Sequence, residues 1–141
     1  MFFLHGCLIH WFSKLQRSVS LSSAEAEFFG AMLCARELVF IRDLLVDLGF
    51  TLSAPSPVFS DSKSAIDMSY DPVAFKKTKH ILRAANFLRD LVERAVLVLY
   101  HISGASMLAD ILTKAVSRQT FISLIKMLDD TTTFTTGLAP S

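Results

Sequence analysis

Three acidic residues stand in apolar sequence where secondary-structure elements are expected to meet, and these positions make them candidates for chemistry. Glu27 lies near the start of a long helical pattern, Asp61 follows the apolar run 58–60, and Asp110 stands within the apolar run 108–112. Clustered carboxylates repel one another unless a divalent cation neutralises them. Convergence of these acids from three elements would therefore indicate a cation site, and magnesium-bridged carboxylates are typical of phosphoryl-transfer or phosphodiester chemistry.

Each acid also has a simpler interpretation. Glu27 could interact with the positive end of the helix dipole, and Asp110 could be an ordinary acid in the first turn of a helix. Asp61 could cap the helix that follows it, since aspartate is among the preferred N-cap residues. The residue types alone do not decide between these interpretations and a shared site.

The element expected to position Glu27 is a helix over residues 23–48. Ser22 and Glu25 have the spacing of a capping box, and Gly49 supplies a stop signal. At about 100° per residue, one stripe of this helix is charged and is expected to face water; its members are Glu25, Arg36, Asp43 and Asp47. The opposite row is apolar and is expected to be buried, with Glu27 at its head; it comprises Ala31, Cys34, Leu38, Ile41, Leu45 and Leu48. An acid in a buried row must be paired, protonated or bound to a cation.

The remaining pattern predicts a mixed α/β sheet covered by helices. A hairpin is expected from strands 2–4 and 8–12 around a turn at His5-Gly6, with a third strand at 19–21. After a proline-containing linker at 51–57, the chain is expected to alternate between strands and helices. The expected strands are 58–60 and 96–102; the expected helices are 62–70, a second long helix ending near Arg94, 107–114 and 119–128.

Composition limits the class of protein. The 141 residues are 52% hydrophobic and 19% charged, which suits one domain with a substantial core. No apolar run approaches the ~20 residues of a membrane span, so no membrane partner is expected. The net charge of +1 means that any basic surface must be local. Cys7 and Cys34 lack metal-ligand spacing and suggest a reducing compartment, so we expect a cytoplasmic or nuclear protein that is not secreted.

Four segments in order carry a resemblance to a known family. They are Ser22-Ser23-Ala24-Glu25-Ala26-Glu27-Phe28, Asp61-Ser62-Lys63-Ser64-Ala65, Lys76-Lys77-Thr78-Lys79-His80-Ile81 and Leu108-Ala109-Asp110-Ile111-Leu112-Thr113-Lys114. Together they resemble the ribonuclease H domain of copia-type LTR retrotransposon Pol polyproteins.

The resemblance implies an α/β, ribonuclease H-like mixed sheet with flanking helices in which the first, central strand is missing. Residues 1–128 would form this N-terminally truncated domain, and 129–141 a disordered Thr-rich tail. Without the central strand, the sheet is expected to be either split or closed by direct pairing of its two halves.

The resemblance also implies site residues and a reaction. Glu27, Asp61 and Asp110 would be the catalytic residues and would bind Mg²⁺ or Mn²⁺, and the ancestral reaction would be metal-dependent cleavage of the RNA strand of RNA/DNA hybrids. The family holds two metal ions with four acids, but no Asp or Glu precedes Glu25 here. The acid without a counterpart is the one expected to touch both metals, so we expect little or no catalysis.

The basic run has two interpretations. Lys76, Lys77, Lys79, His80 and Arg83 could form a solvated face, or they could contact phosphates of an RNA/DNA hybrid. The resemblance favours the second and adds the reverse transcriptase portion of the parent polyprotein as a partner. Two other outcomes stay open, a non-catalytic nucleic-acid-binding module and a functionless transposon remnant.

Overall fold

The computed structural model describes residues 1–16, 23–70 and 79–129. The chain divides into two compact units, one formed by Met1–Leu15 with Ser103–Ser141 and the other by Gln16–Ile102. The described strands form two separate two-stranded sheets, one in each unit. This is the split arrangement that was one of the two expected, and the mixed α/β class is confirmed. The predicted strand at 19–21 and the tail from 130 onward lie outside the described residues.

The first unit begins with the predicted hairpin. Strands β1 (Phe2–Leu4) and β2 (Cys7–His10) pair antiparallel around His5 and Gly6, whose φ angles are +49° and +82°. Positive φ at both central residues is what a type I′ turn requires, and this turn matches the twist of the strands it joins. The ring of buried Phe2 lies 5.5 Å from the ring of His10 and 6.2 Å from that of Phe12, measured between centroids.

The rest of the first unit is helical. Two short 3₁₀ helices, Gly104–Ser106 and Leu108–Leu112, are followed by an α-helix over Arg118–Asp129, which we call α4. Helix α4 is one residue longer at each end than the predicted helix at 119–128. The second 3₁₀ helix contacts α4, and each buries a leucine, Leu108 and Leu124. The helix predicted at 107–114 is present but shorter, and it is a 3₁₀ helix, since its backbone closes i→i+3 bonds such as that from the Asp110 amide to the Met107 carbonyl (3.1 Å).

The second unit packs helices beside a parallel strand pair. Helices α1 (Ser23–Asp47), α2 (Lys63–Tyr70) and α3 (Lys79–Glu93) contact one another. The core side chains come from all of the unit's elements and include Phe28, Leu38, Val58, Ile66, Leu88, Leu91, Leu97 and Leu99. Strands β3 (Ser56–Ser60) and β4 (Leu97–His101) run parallel, with Ser56 opposite Leu97 and Ser60 opposite His101.

Strand β3 starts inside the segment predicted as a linker. Ser56 and Pro57 belong to the strand, and the Ser56 amide donates to the Val96 carbonyl at 3.0 Å. Proline has no amide hydrogen to donate, so it is tolerated in a strand where that side of the backbone has no ladder partner. Among the described strands β3 pairs with β4 alone, which explains how Pro57 is accommodated.

The buried face of α1 agrees with the predicted one in the middle of the helix and differs at its ends. Leu38 of the predicted row is buried as expected, but the two ends of that row, Glu27 and Leu48, are exposed. Phe28 and Ala35, which lie outside the predicted row, are fully buried. The prediction that Glu27 heads a buried row is therefore wrong. Burying an aromatic ring removes a large apolar area from water, whereas burying a carboxylate costs solvation, so the helix turns Phe28 inward. Desolvation raises the pKa of the Cys34 thiol on this helix above its usual value.

Two helices end in the same motif with different residues at the critical position. At the end of α1 the Phe50 amide donates to the Leu45 carbonyl (2.9 Å) and the Gly49 amide to the Val46 carbonyl (2.9 Å), which is a Schellman motif with Gly49 at φ +88°. The end of α3 repeats this pattern, but Ala95 occupies the left-handed position at φ +52°. A side chain there costs roughly 1–2 kcal/mol.

We therefore predict opposite effects of exchanging these residues. Ala95→Gly should raise the free energy of unfolding by about 0.5–1 kcal/mol, because the relief of strain exceeds glycine's extra entropy in the unfolded chain. Gly49→Ala should lower it by about 1 kcal/mol through the backbone alone, since a Cβ there would meet nothing within 4 Å. Urea unfolding of both variants and the unaltered chain measures these changes in the free energy of unfolding. A destabilised Ala95→Gly variant would contradict the assigned φ of Ala95.

Candidate active site

Asp61 lies directly beyond the carboxyl ends of both parallel strands of the second unit. It follows the last residue of β3, and the neighbouring β4 ends opposite at His101. The Ile102 amide donates to the Ser60 carbonyl at 3.0 Å and thereby extends the pairing to the edge at which Asp61 stands. In open α/β sheets this carboxyl edge is where ligands bind. The predicted position of Asp61 at a strand end is confirmed.

The serines on either side of Asp61 perform the structural work of the turn. Ser62 is the N-cap of α2, because its Oγ accepts from the Ala65 amide at 3.3 Å and its carbonyl accepts from the Ile66 amide at 3.2 Å. The Oγ of buried Ser60 accepts from the Ser62 amide at 3.2 Å. The alternative in which Asp61 itself caps the helix is therefore wrong.

The Asp61 carboxylate takes no part in the bonds of this turn. The side chain is half-buried, and it makes no hydrogen bond or ion pair with any residue in the described part of the chain. Carboxylate oxygens are hard ligands of the kind that Mg²⁺ and Mn²⁺ prefer. This geometry distinguishes Asp61 from an acid that serves only to start a helix.

Asp110 belongs to the first unit and is held by a neighbour on the same turn. Its Oδ1 lies 2.9 Å from the Nζ of Lys114, and the Asp110 side chain is 18% exposed. The Asp110 carbonyl accepts from the amides of both Thr113 (3.1 Å) and Lys114 (2.8 Å), so the backbone brings the lysine back over the aspartate. Lys114 ends the fourth segment of the family resemblance, but its ion pair with Asp110 was not predicted, although the i,i+4 spacing could have suggested it.

Glu27 stands on the second turn of α1, exposed to water and beside buried Phe28. Within each unit, the described residues contain no group of three or more His, Cys, Asp or Glu side chains that could hold a metal ion. The assignment of Glu27, Asp61 and Asp110 as one catalytic set thus remains a prediction. Ser22, the proposed capping-box partner of Glu25, lies outside the described residues.

Of the predicted nucleic-acid-binding residues, the structure describes only part. Lys76 and Lys77 lie outside the described residues; Lys79 and His80 form the first turn of α3, with side chains that are not described. Arg83, one turn further along, is exposed. No helix within residues 1–16, 23–70 and 79–129 is long and apolar enough to cross a lipid bilayer.

Comparison with known proteins finds similar stretches in much longer chains. This chain is 38% identical over 113 residues to the retrovirus-related Pol polyprotein from transposon RE2 of Arabidopsis thaliana, covering 80% of this chain and 8% of that protein. It is 36% identical over 121 residues to the corresponding polyprotein from transposon TNT 1-94 of Nicotiana tabacum, covering 86% and 9%. Transposon RE1 of Arabidopsis thaliana gives 36% over 113 residues, covering 80% and 8%.

The chain therefore spans less than a tenth of the length of these relatives. No protein-family model matches it. No solved structure matches it either.

Because Ser62 caps α2 and Asp61 does not, we predict that substitutions at these two positions change stability by different amounts. Ser62→Ala should lower the free energy of unfolding by about 1 kcal/mol, since α2 loses its cap. Asp61→Asn should change it by less than about 0.5 kcal/mol, because the carboxylate accepts no bond from the described residues. Thermal and urea unfolding of both variants provide the measurement. Equal losses in the two variants would show that Asp61 is a structural residue.

Proposed function

Because the chain belongs to the family of retrovirus-related Pol polyproteins of copia-type transposons, we propose that it is the ribonuclease H-like part of such a polyprotein. Its ancestral reaction is hydrolysis of the RNA strand of RNA/DNA hybrids. The observation that carries this proposal is the environment of Asp61, a half-buried carboxylate at the carboxyl edge of two parallel strands whose neighbours Ser60 and Ser62 hold the turn.

The donor chemistry of the three acids fits a divalent cation. Glu27, Asp61 and Asp110 would supply carboxylate oxygens, the hard ligands that Mg²⁺ and Mn²⁺ prefer. When bound, the cation supplies electrostatic stabilisation of the charge that develops on a phosphodiester. The chain's own contribution is to hold Asp61 at a fixed place on the strand edge, because the two serines fix the backbone on either side of it.

The 141 residues contain three acids of the expected four. No Asp or Glu precedes Glu25 in the sequence, so the bridging carboxylate of a two-metal site has no counterpart. We therefore propose that these residues do not cleave a hybrid by themselves. A segment carrying a further strand and an aspartate would be needed to complete the site.

The activity test compares the chain with a completed version of itself. The chain alone, in Mg²⁺ or Mn²⁺, should cut an end-labelled RNA/DNA hybrid no faster than its Asp61→Asn variant. Fusing to its N-terminus the segment that precedes the matching stretch in the RE2 polyprotein should produce cleavage that Asp61→Asn reduces by at least about 100-fold, the scale for loss of a charge-stabilising catalytic group.

Two outcomes would contradict these proposals separately. Asp61-dependent cleavage by the chain alone would refute the argument from the missing acid. A folded fusion that binds the hybrid but cuts it no faster than its Asp61→Asn variant would refute the nuclease proposal and support the non-catalytic binding module instead.

The basic run would bind the hybrid through its phosphates. Lys76, Lys77, Lys79, His80 and Arg83 occur just before and within the first turns of α3, and Arg83 is exposed. Contacts of this kind release counterions, so they give affinity and salt dependence but no sequence preference. The reverse transcriptase portion of a parent polyprotein, which would produce such hybrids, is the partner that we propose.

Neutralising the three lysines tests this binding. Replacing Lys76, Lys77 and Lys79 together with glutamine should weaken hybrid binding and flatten the plot of log affinity against log salt by about 0.9 per lost phosphate contact. Fluorescence anisotropy at several salt concentrations measures both effects. A control that loses the same charge, with glutamine replacing exposed Lys14, Arg118 and Lys126, should keep the original slope. Identical slopes in the two triple variants would show that the three lysines do not contact phosphates and would support the alternative that the basic run is a solvated face.

A further inference from the structure

The second half of α1 carries apolar side chains on two faces. Ala35 and Leu38 are buried, whereas Phe40, Leu44 and Leu48 are 64%, 46% and 66% exposed. These three exposed side chains follow one another at i,i+4 spacing, on the side of the helix roughly opposite Ala35 and Leu38. A helix of a globular protein normally presents charged and polar residues on that side. We call Phe40, Leu44 and Leu48 the outer stripe.

The outer stripe leaves a sizeable apolar area in water. Its exposed fractions correspond to roughly 300 Å² of side-chain surface, which reaches the size of the largest apolar patch on a typical monomer. Contiguous patches of this size mark interaction sites, because covering them removes apolar surface from water. Two such stripes laid together, with their flanking side chains, would form an interface at the small end of the specific range, below about 1,200 Å². The expected complex is therefore weak and depends on concentration.

Two exposed charges stand on one side of the outer stripe. Arg36 and Asp47 lie within about 40° of Phe40 around the helix axis. Neither makes a hydrogen bond or ion pair with any residue that the structure describes. About 16 Å of helix rise separates them, so they cannot pair with each other. A partner that covers the stripe can therefore use both charges.

A second copy of α1 running antiparallel would match these charges. Arg36 lies four residues before Phe40, and Asp47 lies three residues after Leu44. When Phe40 of one copy packs against Leu44 of the other, the same register brings Arg36 of the first within one residue of Asp47 of the second. Two-fold symmetry sets the same flanks of the two stripes side by side and repeats both contacts.

We propose that the outer stripe of α1 binds a second copy of this chain, forming a two-fold symmetric dimer in which the two helices run antiparallel. Phe40 and Leu44 form its apolar centre, and Arg36 of each copy pairs with Asp47 of the other. The interface uses neither Asp61 nor the basic run, so the dimer is independent of the proposed nuclease activity.

Sedimentation velocity of the full 141-residue chain tests the dimer. The measurement covers about 1 μM to about 500 μM, the range in which an interface of this size is expected to form. Leu44→Glu places a charge at the apolar centre twice in each dimer and should weaken dimerisation by at least about tenfold. Leu15→Glu, the matched control, changes an even more exposed leucine outside α1 and should leave dimerisation unchanged.

Charge reversal tests the antiparallel register. Arg36→Glu and Asp47→Arg each set like charges against one another across the interface, so each single variant should weaken dimerisation by about two- to tenfold. The double variant with both substitutions restores opposite charges and should dimerise like the unaltered chain. Circular dichroism spectra must match across the variants, so that altered association reports the interface and not unfolding.

Three outcomes would overturn the proposal. The first is an unaltered chain that stays monomeric over the whole concentration range. The second is association that Leu44→Glu leaves unchanged, which would place the interface elsewhere on the molecule. The third is association that each single charge variant weakens and the double variant does not restore, which would exclude the antiparallel pairing of Arg36 with Asp47.

Discussion

Parallel pairing of β3 with β4 is the constraint on which the candidate site depends. The ladder aligns Ser60 with His101, and the Ile102 amide continues it onto the Ser60 carbonyl, so both strands end at one edge. Val58, Leu97 and Leu99 are buried, which fixes which face of each strand meets the core. A slip of one residue would reverse these faces and move Asp61 relative to the neighbouring strand end. The apolar core therefore determines the position of a polar residue that contributes nothing to that core.

In the three-residue turn after β3, the two serines make the structural hydrogen bonds and Asp61 makes none of them. Ser60 and Ser62 accept the amide bonds that hold the turn and start α2, tasks that a carboxylate could also perform. If Asp61 were the cap, binding a cation would take it away from the helix and weaken the fold. Because the serines do this work, the aspartate can change partners without that cost. The start of α2 is therefore independent of the Asp61 carboxylate.

Sequence patterns predicted the elements better than the faces they bury. The bounds of α1, the His5-Gly6 turn and the strand preceding Asp61 follow from local signals, and the resemblance to a Pol polyprotein was confirmed by three relatives. The burial of Glu27 was predicted wrongly because helical periodicity extends a row to the end of the helix, whereas at this end Phe28 is the side chain that is buried. The helix around Asp110 was predicted over 107–114 but covers only Leu108–Leu112 as a 3₁₀ helix, because so short a run of residues shows no period from which type or bounds can be read.

The three acids of the proposed cation site have different surroundings. Glu27 is exposed, Asp61 is half-buried without a hydrogen-bond or ion-pair partner among the described residues, and Asp110 is mostly buried with the Lys114 ammonium at 2.9 Å. A site that united carboxylates would bring them into mutual repulsion, which a cation would have to offset. No such cost arises for each acid in the surroundings described, because exposure, a half-open strand edge and a neighbouring lysine each accommodate a single negative charge. The proposed site would therefore draw its stability from the bound cation, whereas the fold of each unit rests on its apolar core.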